Sequence, residues 1–218
     1  MALRWVIAMV VGYALGALPM GFIWIKLIKR QDITKIGSGR TGGTNAMRAG
    51  GFLLGLLTAV SDLLKGFMAA YLASLLVPGQ IWASVLAGVA GVAGHNWSLW
   101  LYWWRGKLSA GAGTGPNIGA AIFFWPAILL FMVPWILFMV MVVGYASLAS
   151  ITAGLLLLIA FYVRYLNLGT PWEYAIYGLL TSALIVIALR ANIQRLLQGT
   201  ENRVGIFAKK ALKRSEPT

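Results

Sequence analysis

The sequence predicts an all-α, polytopic integral membrane protein of about seven transmembrane helices, amino terminus outside and carboxyl terminus cytoplasmic. Three observations carry that prediction. The 218 residues are 60% hydrophobic with only five carboxylates, the apolar runs are long enough to span a bilayer, and the basic residues fall almost entirely on one side of them. A helix needs about 20 apolar residues to cross roughly 30 Å of hydrocarbon. Solid blocks such as "WVIAMVVGYALGALPMGFIWI" lack the alternation of a β-barrel strand, and helices are the other structure that satisfies its own backbone in lipid.

The spans are expected at residues 3–25, 52–77, 81–104, 118–125, 127–143, 148–163 and 172–189. The first continues to Lys26, Lys29 and Arg30, which fits a retained span better than a cleaved signal segment. Residues 118–143 are too long for one crossing and are read as two pieces broken at Trp125 and Pro126, because proline interrupts the helical ladder. The remaining breaks are Pro78 with Gly79, "RGKLSAGAGTGPNIG", residues 144–147 and "RYLNLGTP". A single transmembrane domain over residues 1–204 and a short basic cytoplasmic tail over 205–218 follow.

An odd number of spans places the termini on opposite sides, and the basic residues choose the orientation. Lys26, Lys29, Arg30, Lys35, Arg40, Arg48, Arg105, Lys107, Arg190, Arg195, Arg203, Lys209, Lys210, Lys213 and Arg214 fall inside. Only Arg4 and Arg164 fall outside, with Lys65 within a span. The net charge of +13 is therefore a topology signal before it is a nucleic-acid signal. Trp97, Trp100, Trp103 and Trp104 beside Arg105 read as an aromatic belt at headgroup level. No cysteine is present, which removes disulfides and thiol nucleophiles. One histidine and five scattered acids disfavour a metal cluster.

That orientation collects four polar segments on the cytoplasmic face: residues 35–51, 105–117, 144–147 and 192–202. In "KIGSGRTGGTNAMRAGG", Gly37, Gly39 and their neighbours let backbone N–H groups share one concavity, an anion-binding nest. Ser38, Thr44 and Asn45 add side-chain donors, and Arg48 a planar fork for phosphate. From composition alone, an anion cradle and a turn-rich connector weigh equally. A nucleotide P-loop is excluded, since "GxxxxGK[ST]" does not occur.

Asp62 and Lys65 lie three residues apart within an apolar span, on one helix face. Charges there are expensive, and function is their default reading, with a structural ion pair as the bland alternative. His95 with Asn96 sits late in the third span; as a base or substrate contact it stands level with a merely structural residue. Arg105, Gly106 and Lys107 open a second glycine-rich basic segment. Two such segments on one face suit two anionic groups, or one large one. Ser147, Asn192 and Glu201, taken alone, read as helix packing and a basic surface helix.

"GSGRTGGTNAMR", "DLLKG", "GHNWSLWLYWWRGK", "YASLASI" and "NIQRLLQGTE", in this order across nearly the whole chain, resemble the bacterial acyl-phosphate:glycerol-3-phosphate acyltransferase family. The resemblance implies a compact seven-helix protein of the bacterial plasma membrane with its active site at the cytoplasmic surface. It implies substrate roles for Thr44, Asn45, Arg48, Asp62, Lys65, Ser147, Asn192 and Glu201, and roles for Ser38, His95 and Lys107 close to the chemistry. With them go Gly37, Gly39, Arg105 and Gly106 as substrate-binding residues of the two glycine-rich segments. Where the family has "GSGNxGATN" this chain has Arg40 and Gly43, and where it has "FKGGKGVAT" this chain has "WWRGKLSAG". The implied partners are acyl phosphate, glycerol 3-phosphate and membrane lipid, with no cofactor, metal or nucleic acid, in a monomer. The implied reaction moves a fatty acyl group to the sn-1 hydroxyl of glycerol 3-phosphate, giving lysophosphatidate. A transporter for a phosphorylated or anionic solute is the runner-up, suggested by intramembrane charge and broken helices; a relative with altered or lost activity is the third reading.

Overall fold

The computed structural model describes residues 1–204 of the chain, so the expected basic tail lies outside the described residues. Those residues form helices α1 (Ala2–Ala17), α2 (Met20–Lys29), α3 (Gly43–Gly50), α4 (Phe52–Leu76), α5 (Ile81–Asn96) and α6 (Leu99–Arg105). They continue with α7 (Thr114–Phe124), α8 (Leu129–Phe138), α9 (Ala146–Leu168), α10 (Glu173–Ala188) and α11 (Arg190–Leu197). The all-helical expectation holds. Four segments are long and apolar enough to cross a membrane, at 28, 25, 18 and 23 residues, starting at Ala2, Phe52, Pro126 and Ala146. A fifth arises if α10 and α11, bent by 64° at Leu189, count as one. Helices α5 and α7, at 16 and 11 residues, are shorter than a full crossing.

Two expected helices are broken where continuity was anticipated. Residues 3–25 divide at Leu18–Pro19, because Pro19 cannot donate to the preceding turn. Residues 81–104 divide at Trp97–Ser98, where the Ser98 hydroxyl accepts from the Leu101 amide and starts α6 as its N-cap. The two breaks lie together and satisfy each other. Ser98 Oγ donates to the Ala17 carbonyl, Tyr13 Oη donates to the Trp97 carbonyl at 2.6 Å, and Trp100 Nε1 donates to that of Ala14 at 3.3 Å. The expected break at Trp125–Pro126 is present, with α7 ending at Phe124 and starting inside the glycine-rich segment.

Packing in the bundle depends on small residues, as it does where lipid removes the hydrophobic drive between helices. Helices α1 and α5 meet so closely that a methyl group at Gly16 would overlap the Gly91 carbonyl. Gly66 of α4 lies equally close to Pro116 of α7. The largest apolar core joins α4, α5, α7, α9 and α10 around Phe161 and Tyr177. Phe124 stacks on Tyr174 at 4.7 Å, and Tyr177 Oη donates to the Asn117 carbonyl at 2.8 Å. A second core, with Phe22, Ile25, Ile33, Leu54 and Leu101, lies beneath the glycine loop. Large apolar side chains such as Leu3, Leu130, Phe131 and Met141 line the outside.

Replacing Gly16 by leucine drives a side chain into backbone that cannot retreat. Thermal unfolding in detergent is expected to show a loss of about 2–3 kcal/mol. Gly42→Ala, whose methyl meets no heavy atom within 4 Å, is expected to stay within about 0.5 kcal/mol of the parent.

Candidate active site

One cavity of about 460 Å³ opens at the end of the bundle that carries the glycine loop. Its polar end is formed by Ser38, Arg40, Thr44, Asn45, Arg48, Asp62, His95, Ser147, Asn192 and Glu201. Its apolar end runs between α4, α7 and α8 along Leu56, Leu63, Ile118, Met132, Ile136 and Leu137. Residues from five separate stretches of sequence thus meet around one cavity.

The amino termini of α3, α7 and α9 all reach this cavity, through Gly43 and Thr44, Thr114 and Gly115, and Ala146 and Ser147. Each leaves N–H groups without intrahelical partners and carries the positive end of its dipole, a ready environment for anions. Sequence reasoning missed Thr114. Its hydroxyl is enclosed without a hydrogen-bond partner, at the start of α7. The one available signal was a threonine after closely spaced glycines.

The glycine loop is held from within by Asn45. Its Oδ1 accepts from the Ser38 amide at 3.2 Å, and its Nδ2 donates to the carbonyls of Ile36 at 2.9 Å and Arg40 at 2.8 Å. Asn45 therefore shapes the cradle rather than offering free donors. Gly37 and Gly39 take the left-handed backbone this path requires, at φ +54° and +67°. The loop is joined to the second glycine-rich segment through the Thr41 amide, which donates to the Ala110 carbonyl at 2.7 Å. Ser38 is exposed at the rim, and Arg48 reaches the Arg203 carbonyl at 3.1 Å.

Deeper in, Lys65 Nζ lies 2.9 Å from Asp62 Oδ1, 2.7 Å from the Leu18 carbonyl and 2.8 Å from His95 Nδ1. The first of these is an ion pair and the other two are hydrogen bonds, in which the ammonium can only donate. Nδ1 of His95 accordingly accepts, which assigns the ring proton to Nε2. That nitrogen faces Gly111 so closely that a side chain there would collide with it. Asp62 and His95 border the cavity, with Lys65 behind them. The Leu18 carbonyl is available because of the Pro19 break.

On the other side, Glu201 is a hub. Its Oε1 accepts from Ser147 Oγ at 3.0 Å and Asn192 Nδ2 at 2.7 Å, and its Oε2 from Arg195 Nε at 2.8 Å. Asn192 and Glu201 are buried by these contacts, so neither is the surface residue its sequence context suggested, and Ser147 is buried with them. Gly37, Gly39, Lys65, Arg105, Gly106 and Lys107 do not line the cavity. Arg105 Nε lies 3.2 Å from Asp32 Oδ2, and its guanidinium lies over the Phe22 ring. Burial works to raise the Asp32 pKa, but the Thr34 hydroxyl and amide, with Arg105 and Lys35, outweigh it and hold the carboxyl below its ordinary value. Gly106 ends α6 in the left-handed conformation. Lys107 is exposed, with its ammonium beside Gly39.

Replacing Lys65 by methionine leaves a buried carboxylate without its cation. The expected cost is about 3–5 kcal/mol in thermal unfolding, much of it regained when Asp62→Asn is added.

Residues 6–199 match the family described as glycerol-3-phosphate acyltransferase. The chain is similar to the glycerol-3-phosphate acyltransferase of Brucella anthropi, at 36% identity over 200 residues, 91% of this chain and 92% of the relative. It is similar to that of Mesorhizobium japonicum, at 37% over 202 residues, 92% and 96% of the two chains. Two solved structures of PlsY (YgiH), an integral membrane glycerol 3-phosphate acyltransferase, share the fold. The glycerol 3-phosphate form has TM-score 0.79 at 31% identity, covering 93% of this chain and 96% of that one. The lysophosphatidic acid form has TM-score 0.77 at 30% identity, covering 94% and 97%. With its apolar spans and this coverage, the chain is a multi-pass integral membrane protein and belongs to the glycerol-3-phosphate acyltransferase family, PlsY lineage.

Proposed function

We propose that the protein transfers a fatty acyl group from acyl phosphate to the sn-1 hydroxyl of glycerol 3-phosphate, producing lysophosphatidate and phosphate. The observation that carries this reading is a single cavity whose polar end gathers three helix amino termini with Arg40 and Arg48, and whose other end is an apolar trough. A substrate that is phosphate at one end and hydrocarbon at the other matches that division. A second phosphorylated substrate fits beside it.

The reaction is direct. The sn-1 oxygen attacks the acyl carbon, the carbon–oxygen bond to phosphate breaks, and phosphate leaves with the bonding pair. The hydroxyl proton passes to an oxygen of the departing phosphate. His95 is poorly suited to receive it, since Nδ1 is held by Lys65 and Nε2 carries the ring proton. In this reading His95 donates its Nε2 proton in a hydrogen bond to the oxyanion, with Asp62 and Lys65 fixing its tautomer. Preorganised donors of this kind, and the positioning of two substrates, supply the rate enhancement for an already activated donor. Ser38, Thr44 and Arg48 contact phosphate from the glycine loop; Lys107, beside Gly39, completes that charge from the rim. Ser147, Asn192 and Glu201 hold glycerol 3-phosphate at the opposite wall.

The reading includes seven membrane passages, with α5 and α7 as short tilted ones, an external amino terminus and a site at the cytoplasmic surface of a bacterial plasma membrane. The strong one-sided placement of lysine and arginine supports it. It also takes residues 1–204 as one catalytic domain, acting as a monomer without cofactor or metal.

Purified protein in lipid, given long-chain acyl phosphate and labelled glycerol 3-phosphate, is expected to form labelled lysophosphatidate, with acyl-CoA giving none. No acyl adduct is expected on Ser38 by mass spectrometry, and a stable one would overturn direct attack. Uptake of labelled solute into vesicles without product would favour a transporter. Lys107→Ala is expected to raise KM for a phosphorylated substrate about tenfold or more, whereas Trp100→Ala leaves turnover within about twofold; equal losses would count against the assignment.

A further inference from the structure

Arg40 sits in the glycine loop, and its side chain joins that loop to segments far from it in sequence. Its backbone is fixed within the glycine loop: the amide lies 3.4 Å from Ser38 Oγ and the carbonyl accepts from Asn45 Nδ2. From there the guanidinium crosses the cavity wall. One terminal nitrogen donates to the Ala188 carbonyl at 2.9 Å and to Asn192 Oδ1 at 2.8 Å, and the other lies 3.4 Å from the Gly111 carbonyl. Three segments distant in sequence are joined through one planar group.

We propose that Arg40 is a positioning residue that pins the α10–α11 elbow to the glycine loop and thereby sets where Asn192, Glu201 and Ser147 stand across the cavity. The inference rests on the acyl-transfer reading above. Ala188 is the last residue of α10, where unpaired carbonyls and the negative end of the helix dipole favour a cation. The 64° bend begins immediately after it. Beyond the bend, Asn192 accepts from Arg40 through Oδ1 and donates through Nδ2 to Glu201 Oε1, which also accepts from Ser147. Because Asn192 has an acceptor on one side and a donor on the other, the contact with Arg40 fixes the orientation of the amide and so the carboxylate behind it. Burial lowers the Arg40 pKa and Arg195 adds to this, while Glu201 opposes both; a guanidinium remains charged in such surroundings. Lysine is a poor replacement. Its single ammonium lacks the planar fork that meets the Ala188 and Asn192 acceptors together. Arg40 also differs in kind from Arg48, since three of its donor positions are taken up by protein acceptors rather than left facing the cavity.

The test combines kinetics with a readout that does not need activity. Arg40→Ala in lipid is expected to raise KM for glycerol 3-phosphate at least tenfold with a smaller fall in kcat, and Arg40→Lys to recover less than a third of the loss. Arg40→Ala combined with Asn192→Ala should be no worse than the more damaging single change, since both act through one contact. Multiplicative losses, or a KM within twofold of the parent, would overturn the proposal. Hydrogen exchange of residues 188–202 should quicken at least tenfold in Arg40→Ala while α1 and α5 remain as in the parent. Unchanged exchange at the elbow overturns it, and a general loss of protection throughout the bundle overturns it as well, marking Arg40 as a folding residue. If the parent protein makes no lysophosphatidate yet the elbow alone loosens in Arg40→Ala, the pin stands and the acyl-transfer reading falls.

Discussion

A lysine ammonium beneath a broken helix is the contact on which much of this structure depends. In hydrocarbon a helix break exposes carbonyls that no water can reach, each costing several kcal/mol if left alone. Pro19 makes such a break between α1 and α2, and Lys65 answers it at the Leu18 carbonyl while holding Asp62 and His95. The buried cation is paired with the Asp62 carboxylate and donates to the Leu18 carbonyl and to His95 Nδ1. The Leu18 carbonyl, which also accepts from the Met20 amide at 3.0 Å, helps to hold the ammonium, and the ammonium holds the imidazole at the cavity border.

The same economy governs the second break. The hydroxyls of Ser98 and Tyr13 close the gap between α5 and α6 onto the end of α1, so two interruptions become one joint. From this joint the chain passes into the segment around Ala110, whose carbonyl receives Thr41 of the glycine loop. Local unwinding within the bundle thus delivers both glycine-rich segments to one place. Helix amino termini then arrive at the cavity as a consequence of where the breaks lie: α7 begins directly after the left-handed Gly113, and α9 one residue beyond the left-handed Gly144 that ends the preceding helical turn.

Across the cavity, the wall formed by α9, α11 and residues 200–204 is built from polar contacts instead of packing. Glu201 gathers Ser147, Asn192 and Arg195, and the Val204 amide returns to the Gly144 carbonyl at 2.9 Å. Such a wall holds its shape only while each hydrogen bond is made. Polar contacts tie this wall to the glycine loop at Arg40 and at Arg48, whose guanidinium meets the Arg203 carbonyl.

The sequence by itself determined the class of molecule, since apolar blocks of this length have few alternatives in lipid. It also marked Ser38, Thr44, Arg48, Asp62, His95, Ser147, Asn192 and Glu201, which the fold brings to one cavity. Buried charge in an apolar span marked Asp62 by itself, whereas the glycine loop was one of two equal readings and Ser147, Asn192 and Glu201 were marked by the resemblance alone. Only the tertiary structure decided how each group is used. Asn45 looks like a free donor until its amide is seen satisfying the loop, and Arg105 looks like a phosphate ligand until Asp32 is found beside it. Arg40 appeared as a departure from a pattern, yet its partners lie 71 to 152 residues away. Hydrogen-bond satisfaction is a property of space, and no local spacing rule can report which donors remain free after the chain has folded.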